Sequence, residues 1–143
     1  RDLKGKIDIF IAGVGTGGTI TGCAEFFKSK NPNIQIIAVE PAKSAVLSGK
    51  KAAPHGIQGI GAGFLPPLLK AVLIDDIITV SEADAFNASR QLASKEGLLA
   101  GISAGAAFWA ALKVGAAQPH KNIVAIMPDS AEKYFSTELF KEF

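Results

Sequence analysis

Cysteine is nearly absent from this chain. Cys23 is the only one in 143 residues, so no internal disulfide can form, and a lone thiol fits a reducing compartment. Histidine is scarce too. His55 and His120 sit in loops beside proline, which gives no ligand spacing for a metal site. An excess of one charge is missing: 15 basic and 13 acidic side chains leave a net charge of +2, scattered along the chain, which excludes a nucleic-acid footprint. A long hydrophobic run is missing as well. The uncharged stretch from Gly97 to Leu112 is shorter than a bilayer span and broken by Gly and Ser, so no transmembrane helix is expected. Arg1 to Asp8 is dense in charge, so no signal peptide is expected there. Together these absences point to a cytoplasmic protein with no membrane and no nucleic-acid partner.

What is present describes a folded domain. The chain is 48% hydrophobic and 20% charged, too apolar for disorder, and a chain of this length buries roughly 70% of its unfolded surface. Glycine is in excess. There are fifteen, against an average near 7%, and most of them gather in three clusters: Gly13 to Gly22, Gly56 to Gly63 and Gly97 to Gly105. Glycine is required where the backbone takes positive φ or approaches a ligand closely. The clusters read either as tight turns or as loops converging on one site.

The order of elements sets the fold class. Ile7 to Ala12 and Ile34 to Val39 are short, β-branched and apolar, as buried parallel strands are. Between them Thr19 to Lys30 has helical composition and stops at Asn31-Pro32, giving a βαβ unit. Ala42 to Pro54 carries a weak signal for a short helix. Ile77 to Val80 is a third strand. Ser81 and Asp84 then match a capping box, opening a helix that Gly97 ends. Ser103 is expected to cap an Ala-rich helix running to about Val114. Asn122 to Met127 is a last strand, and Phe135 to Phe143 is expected to form a short helix. Glu82, Asp84 and Arg90 read as a solvated helix face, Cys23 as a packed thiol, and Trp109 with Phe108 as helix packing. Alternating strands and helices predict an α/β fold, a parallel twisted sheet flanked by helices, as a single domain over residues 1–143.

The strongest chemical signal lies between the first strand and the first helix. Gly13-Val14-Gly15-Thr16-Gly17-Gly18-Thr19 places glycines and two hydroxyls where a helix N-terminus offers unpaired N–H groups and positive dipole, the makings of a phosphate cup. Two phosphates compete. Gly13, Gly15 and Gly18 with Glu40 also satisfy the dinucleotide fingerprint. Against it, paired glycines flanked by threonines suit one terminal phosphate, and Pro41 stiffens the loop that would cradle a ribose.

Five stretches in order carry a resemblance: Gly15 to Thr19; Val39-Glu40-Pro41; Gln58-Gly59-Ile60-Gly61-Ala62-Gly63-Phe64; Ala100-Gly101-Ile102-Ser103-Ala104-Gly105-Ala106; and Pro128-Asp129-Ser130 with Tyr134 and Ser136-Thr137. They resemble the C-terminal portion of the cysteine synthases (O-acetylserine sulfhydrylases), fold-type II pyridoxal-phosphate enzymes, across essentially the whole chain. The resemblance implies pyridoxal phosphate as cofactor and the large-domain part of that architecture. It assigns Gly15, Thr16, Gly17, Gly18 and Thr19 to the cofactor phosphate and Ser103 to the pyridine nitrogen. A neutral hydroxyl there tempers the electron sink and suits β-replacement. Gln58, Gly59 and Gly61 match a loop near the substrate. The implied substrates are O-acetylserine and sulfide. The implied partners are a second copy of the parent and the C-terminal tail of serine acetyltransferase.

The match has departures. Ala104 stands where a second serine is common, and Ala131 and Lys133 replace a usual Gly and Arg, changes that the sibling cystathionine β-synthases also tolerate. The family's Schiff-base lysine and its substrate-carboxylate loop have no counterpart. Lys28, Lys30, Lys50, Lys51 and Lys70 read as solvated surface. No catalytic residue is therefore assigned, and the chain is expected to be the C-terminal part of a longer enzyme, inactive alone. Two other classes stay open: a dinucleotide-binding oxidoreductase domain, and a non-catalytic module that binds a peptide tail.

Overall fold

The structure is a computed structural model that describes residues 3–137 and 139–140. Four parallel strands form one sheet in the order β3-β2-β1-β4, with β1 at Ile9–Gly13, β2 at Gln35–Pro41, β3 at Asp76–Val80 and β4 at Ile123–Ala125. The register pairs Ile11 with Ile37 and with Ala125. Three helices cover the sheet: α1 at Gly18–Lys30, α2 at Glu82–Glu96 and α3 at Ile102–Ala117.

Alternation along the strands divides the core in two. Ile9, Ile11, Ile37 and Val39 point to one face, against Ile102, Ala106 and Ala110 of α3 and Ala85 of α2. Phe10, Ala12, Ile36 and Ala38 point to the other, against Ile20 and Ala24 of α1. Because both faces are covered, the strands are apolar without a polar alternation. Small residues let α2 and α3 approach closely: a methyl on Gly105 would lie 2.2 Å from the Ala85 carbonyl oxygen.

Most element ends follow their local chemistry. Asn31, extended ahead of Pro32, ends α1. Ser81 accepts the Asp84 N–H at 3.1 Å and donates to the Asp84 carboxylate at 2.6 Å. Gly97, at φ 68°, ends α2 in the left-handed region. Cys23 packs on the α1 side of the core, and Trp109 on the opposite side.

Several expectations are corrected. The last strand is shorter than Asn122 to Met127, although Ile126 still donates to Ile11. α3 runs on to Ala117. The weak stretch after β2 holds a 3-10 turn at Ala42–Ser44. The tail helix is not formed in the described part of 135–143; the 3-10 turn there is Ala131–Tyr134, and residues 138 and 141–143 lie outside the described residues. Glu82, Asp84 and Arg90 are not a solvated face. Glu82 accepts the Gly56 N–H at 2.7 Å and pairs with Lys43, Asp84 closes the Ser81 box, and Arg90 donates to the Leu139 carbonyl at 2.7 Å. Each partner is distant in sequence or hidden in a turn, so composition alone could not reveal it. Lys28 is likewise engaged, half-buried against Asp75 at 2.7 Å, whereas Lys30, Lys50, Lys51 and Lys70 are exposed as expected, Lys70 in a surface pair with Glu25.

Candidate functional site

The strand order reverses between β1 and β4. The chain steps outward from β1 to β2 and β3, then returns to the other side of β1. In open α/β sheets the crevice beyond the carboxyl ends of strands at such a point is where ligands bind. Two segments leave the sheet there: Val14 to Gly17, leading into α1, and the residues after β4, which include Pro128 and Asp129.

The N-terminus of α1 is open. Gly17, at φ 82°, is the N-cap, no side chain caps the helix, and its first turn holds no acid. The first backbone bond closing the helix runs from Thr21 N–H to the Gly17 carbonyl at 3.1 Å, so the preceding N–H groups point away from the helix, free for an anion. Thr16, Gly18 and Thr19 are exposed beside them. Glu82 shows the opposite arrangement at α2, where the Gly56 N–H and the Lys43 ammonium hold its carboxyl below the usual carboxylate range.

The connection after β2 returns over this opening. Ile57 and Ile60 are buried anchors, and Gln58 and Gly59 between them are exposed. The Gly61 N–H donates to the Val14 carbonyl at 2.9 Å, and His55 Nε2 bonds the Gly61 carbonyl at 2.9 Å. The fit leaves no room for side chains. A methyl on Gly15 would lie 2.6 Å from the Gly59 carbonyl oxygen, and one on Gly61, at φ 69°, would meet Pro41 at 2.6 Å. A methyl on Gly59 would lie 3.5 Å from Ser103 Oγ. The three glycine clusters therefore do converge, with Gly59 between the α1 end and Ser103. Gln58 sits on the same loop with its side chain toward solvent.

Ser103 does not cap α3. Gly101 is the N-cap, without a side-chain bond, and Ser103 is one position inside the helix, buried. The cap comes from the end of β4. Asp129 Oδ1 accepts from Ser103 Oγ at 2.8 Å and from the Ala104 N–H at 2.9 Å. Asp129 Oδ2 is buried without a hydrogen-bond partner among the described residues. Tyr134 is buried nearby, and that burial, with the Asp129 carboxylate adding to it, pushes its hydroxyl up to about 12. Asp129 lies in one of the stretches that carry the resemblance, but its task is not legible there, because a carboxylate reaching a helix from another strand leaves no local pattern.

The dinucleotide alternative loses its acid. Glu40 is buried, and its carboxylate is spent on the Leu47 N–H at 2.8 Å, the Ser48 N–H at 3.0 Å and the Ser48 hydroxyl at 2.6 Å. It staples the chain after β2 and cannot also receive a ribose.

Comparison with known proteins agrees with this geometry. The family described as pyridoxal-phosphate dependent enzyme matches residues 1–129. The chain belongs to that family. A cysteine synthase from Buchnera aphidicola is 53% identical over 98% of this chain and 47% of its own length. The O-acetylserine sulfhydrylase isoform 3 of Entamoeba histolytica superposes with a TM-score of 0.96 at 44% identity, covering 99% of this chain and 43% of that one. The O-acetylserine dependent cystathionine beta-synthase of Helicobacter pylori gives 0.91 at 41% identity, over 97% and 45%. The parallel sheet is thus the fold-type II architecture of the family, and the chain spans somewhat under half the length of the relatives it matches. Among the described residues no helix is long and apolar enough to cross a membrane, and no group of His, Cys, Asp and Glu could hold a metal ion.

Proposed function

We propose that this chain supplies the cofactor-holding part of a cytoplasmic cysteine synthase, which makes cysteine from O-acetylserine and sulfide. The observation that carries the reading is the meeting of the open α1 end, Gly59 and Ser103 at the point where the strand order reverses. The residues fit pyridoxal phosphate. The free N–H groups at Gly18 and Thr19, with the Thr16 and Thr19 hydroxyls, donate to its phosphate. Gly15 and Gly59, having no side chains, leave the approach flat, and Ser103 faces the ring nitrogen. When bound, the cofactor supplies an electron sink for chemistry at the α-carbon of an amino acid. Gln58, Gly59 and Gly61 border the substrate from the loop above.

Six of the lysines are engaged elsewhere. Lys28, Lys43, Lys70 and Lys121 pair with Asp75, Glu82, Glu25 and Asp8, and Lys30 and Lys113 lie over Phe26 and Trp109. The chain alone binds the cofactor without a covalent bond and performs no β-replacement. The names of its relatives support O-acetylserine as the substrate, and one of them supports a cystathionine-forming enzyme as the second reading. A homodimeric parent and a serine acetyltransferase tail in the cleft rest on the family resemblance.

A titration tests the reading. Pyridoxal phosphate is expected to bind saturably and NAD not to, and borohydride is expected to leave no pyridoxyl group on any lysine. Saturable binding of NAD without pyridoxal phosphate overturns the site, and a reduced lysine adduct with turnover overturns the inactivity.

A further inference from the structure

His55 stands at the foot of the loop that borders the site. Its Nε2 lies 2.9 Å from the Gly61 carbonyl, six residues further on. A carbonyl only accepts, so Nε2 carries a proton and donates. Nδ1 is then left buried, without a hydrogen-bond partner among the described residues. Burying a polar nitrogen without a partner costs stability. The bond from Nε2 is the contribution of this ring that sets against that cost.

That bond closes a circle of chain. At one end Glu82 holds the Gly56 N–H at 2.7 Å. At the other, Gly61 is gripped twice: its N–H donates to the Val14 carbonyl at 2.9 Å, and its carbonyl accepts from His55. Ile57 and Ile60 are buried, and a methyl on Gly13 would lie 2.6 Å from the Ile60 side chain. Gln58 and Gly59 form the exposed tip between these anchors. Gly59 and Gly61 take φ 91° and 69°, and glycine leaves such a conformation as readily as it enters it. The shape of the tip therefore depends on the ties at its two ends.

We propose that His55 is a positioning residue: through the Gly61 carbonyl it holds the loop closed on the phosphate cup and keeps Gly59 flat beside the place of the cofactor ring. The inference rests on the cofactor site proposed above. Its effect is confined to one part of that site. The phosphate meets the end of α1, which has its own geometry, whereas the ring lies between Gly59 and Ser103. Without the His55 bond the loop has to be ordered when the ring arrives, and that ordering lowers affinity. The Glu82 and Val14 bonds remain, so the loop loosens without unfolding.

The test compares two ligands that need no lysine. Inorganic phosphate probes the α1 end alone. The whole site is probed by 4′-deoxypyridoxine 5′-phosphate, which has the ring and the phosphate but no aldehyde, and phosphorus NMR gives both affinities. In His55→Ala the affinity for the ring-bearing ligand is expected to fall by about three- to tenfold, the worth of one net hydrogen bond, while that for inorganic phosphate stays the same. His55→Gln brings an amide N–H close to the position of Nε2 and is expected to restore the native affinity. His55→Asn, whose amide stops short of Gly61, is expected to behave as His55→Ala and decides the matter if that variant does not fold. An equal fall for both ligands, no fall for either, or no recovery in His55→Gln overturns the inference and leaves the site standing. If the native chain does not bind the ring-bearing ligand saturably, the site and the inference fall together.

Discussion

The N-termini of α1 and α3 stand on either side of Gly59, and they are finished in opposite ways. At α1 the cap is a glycine, the first turn holds no acid, and the threonines beside it are exposed. At α3 a carboxylate brought from beyond β4 takes one helical N–H and the Ser103 hydroxyl, with Ser103 and Ala104 buried and Asp129 half-buried. Both ends carry the same positive dipole. The difference lies in what neutralises it: α3 carries its own anion, and α1 is left for one that arrives with a ligand. A helix end left uncapped loses stability, and that loss is what a bound phosphate recovers. On the proposed reading, the two ends receive the two polar ends of a single cofactor, one already closed and the other open.

The comparison can be broken from the closed side. Asp129→Ala removes the cap of α3 and leaves the Ser103 hydroxyl buried without a partner. A loss of about 2–3 kcal/mol is expected, combining a lost cap with an unsatisfied polar group, and urea unfolding measures it. Phosphate affinity at α1 is expected to change little, so an equal loss at both ends would show that they are not independent. The reverse change closes the open side. Thr19→Asp puts a carboxylate in the first turn of α1, making it resemble α3. Affinity for inorganic phosphate is expected to fall by about tenfold or more as like charges meet, while stability rises by about 0.3–1 kcal/mol. Phosphorus NMR and thermal unfolding read the two opposed effects.

A smaller effect sharpens the same contrast. Tyr134 borders only the α3 end, and its hydroxyl is held up to about 12. Its proton is retained more firmly in the folded chain than in the unfolded one. Stability is therefore full below the ordinary value near 10 and falls as pH rises toward 12. Tyr134→Phe is expected to flatten that alkaline decline, measured by urea unfolding across this range, and to leave the acid side unchanged.

Local chemistry made much of this legible. The first three apolar strands, the Ser81 and Asp84 box, the Gly97 stop and the glycine turn into α1 are each written within a few consecutive residues, and the structure has them close to where they are expected. Composition leaves the glycine clusters readable as turns or as converging loops, and the position of Gly59 between Gly15 and Ser103 decides for convergence. The sequence misled wherever a partner came from far away. Ser103 looked like a cap because Ser commonly is one, whereas the cap is Asp129. Glu40 looked available to a ribose, whereas Leu47 and Ser48 fold back to consume it. Arg90 and Glu82 looked solvated for the same reason. Long-range hydrogen bonds have no periodicity, so no reading of spacing finds them.

On the proposed reading an anion binds at α1 and not at α3, and residue-resolved amide NMR decides between the two ends. Titrating the chain with pyridoxal phosphate is expected to shift the backbone N–H signals of Gly18 and Thr19 first and furthest, with a smaller response at Ser103 and none at Ala83 in capped α2. Shifts centred on Ala104 with Gly18 and Thr19 unmoved would place the anion at α3 and overturn the phosphate site.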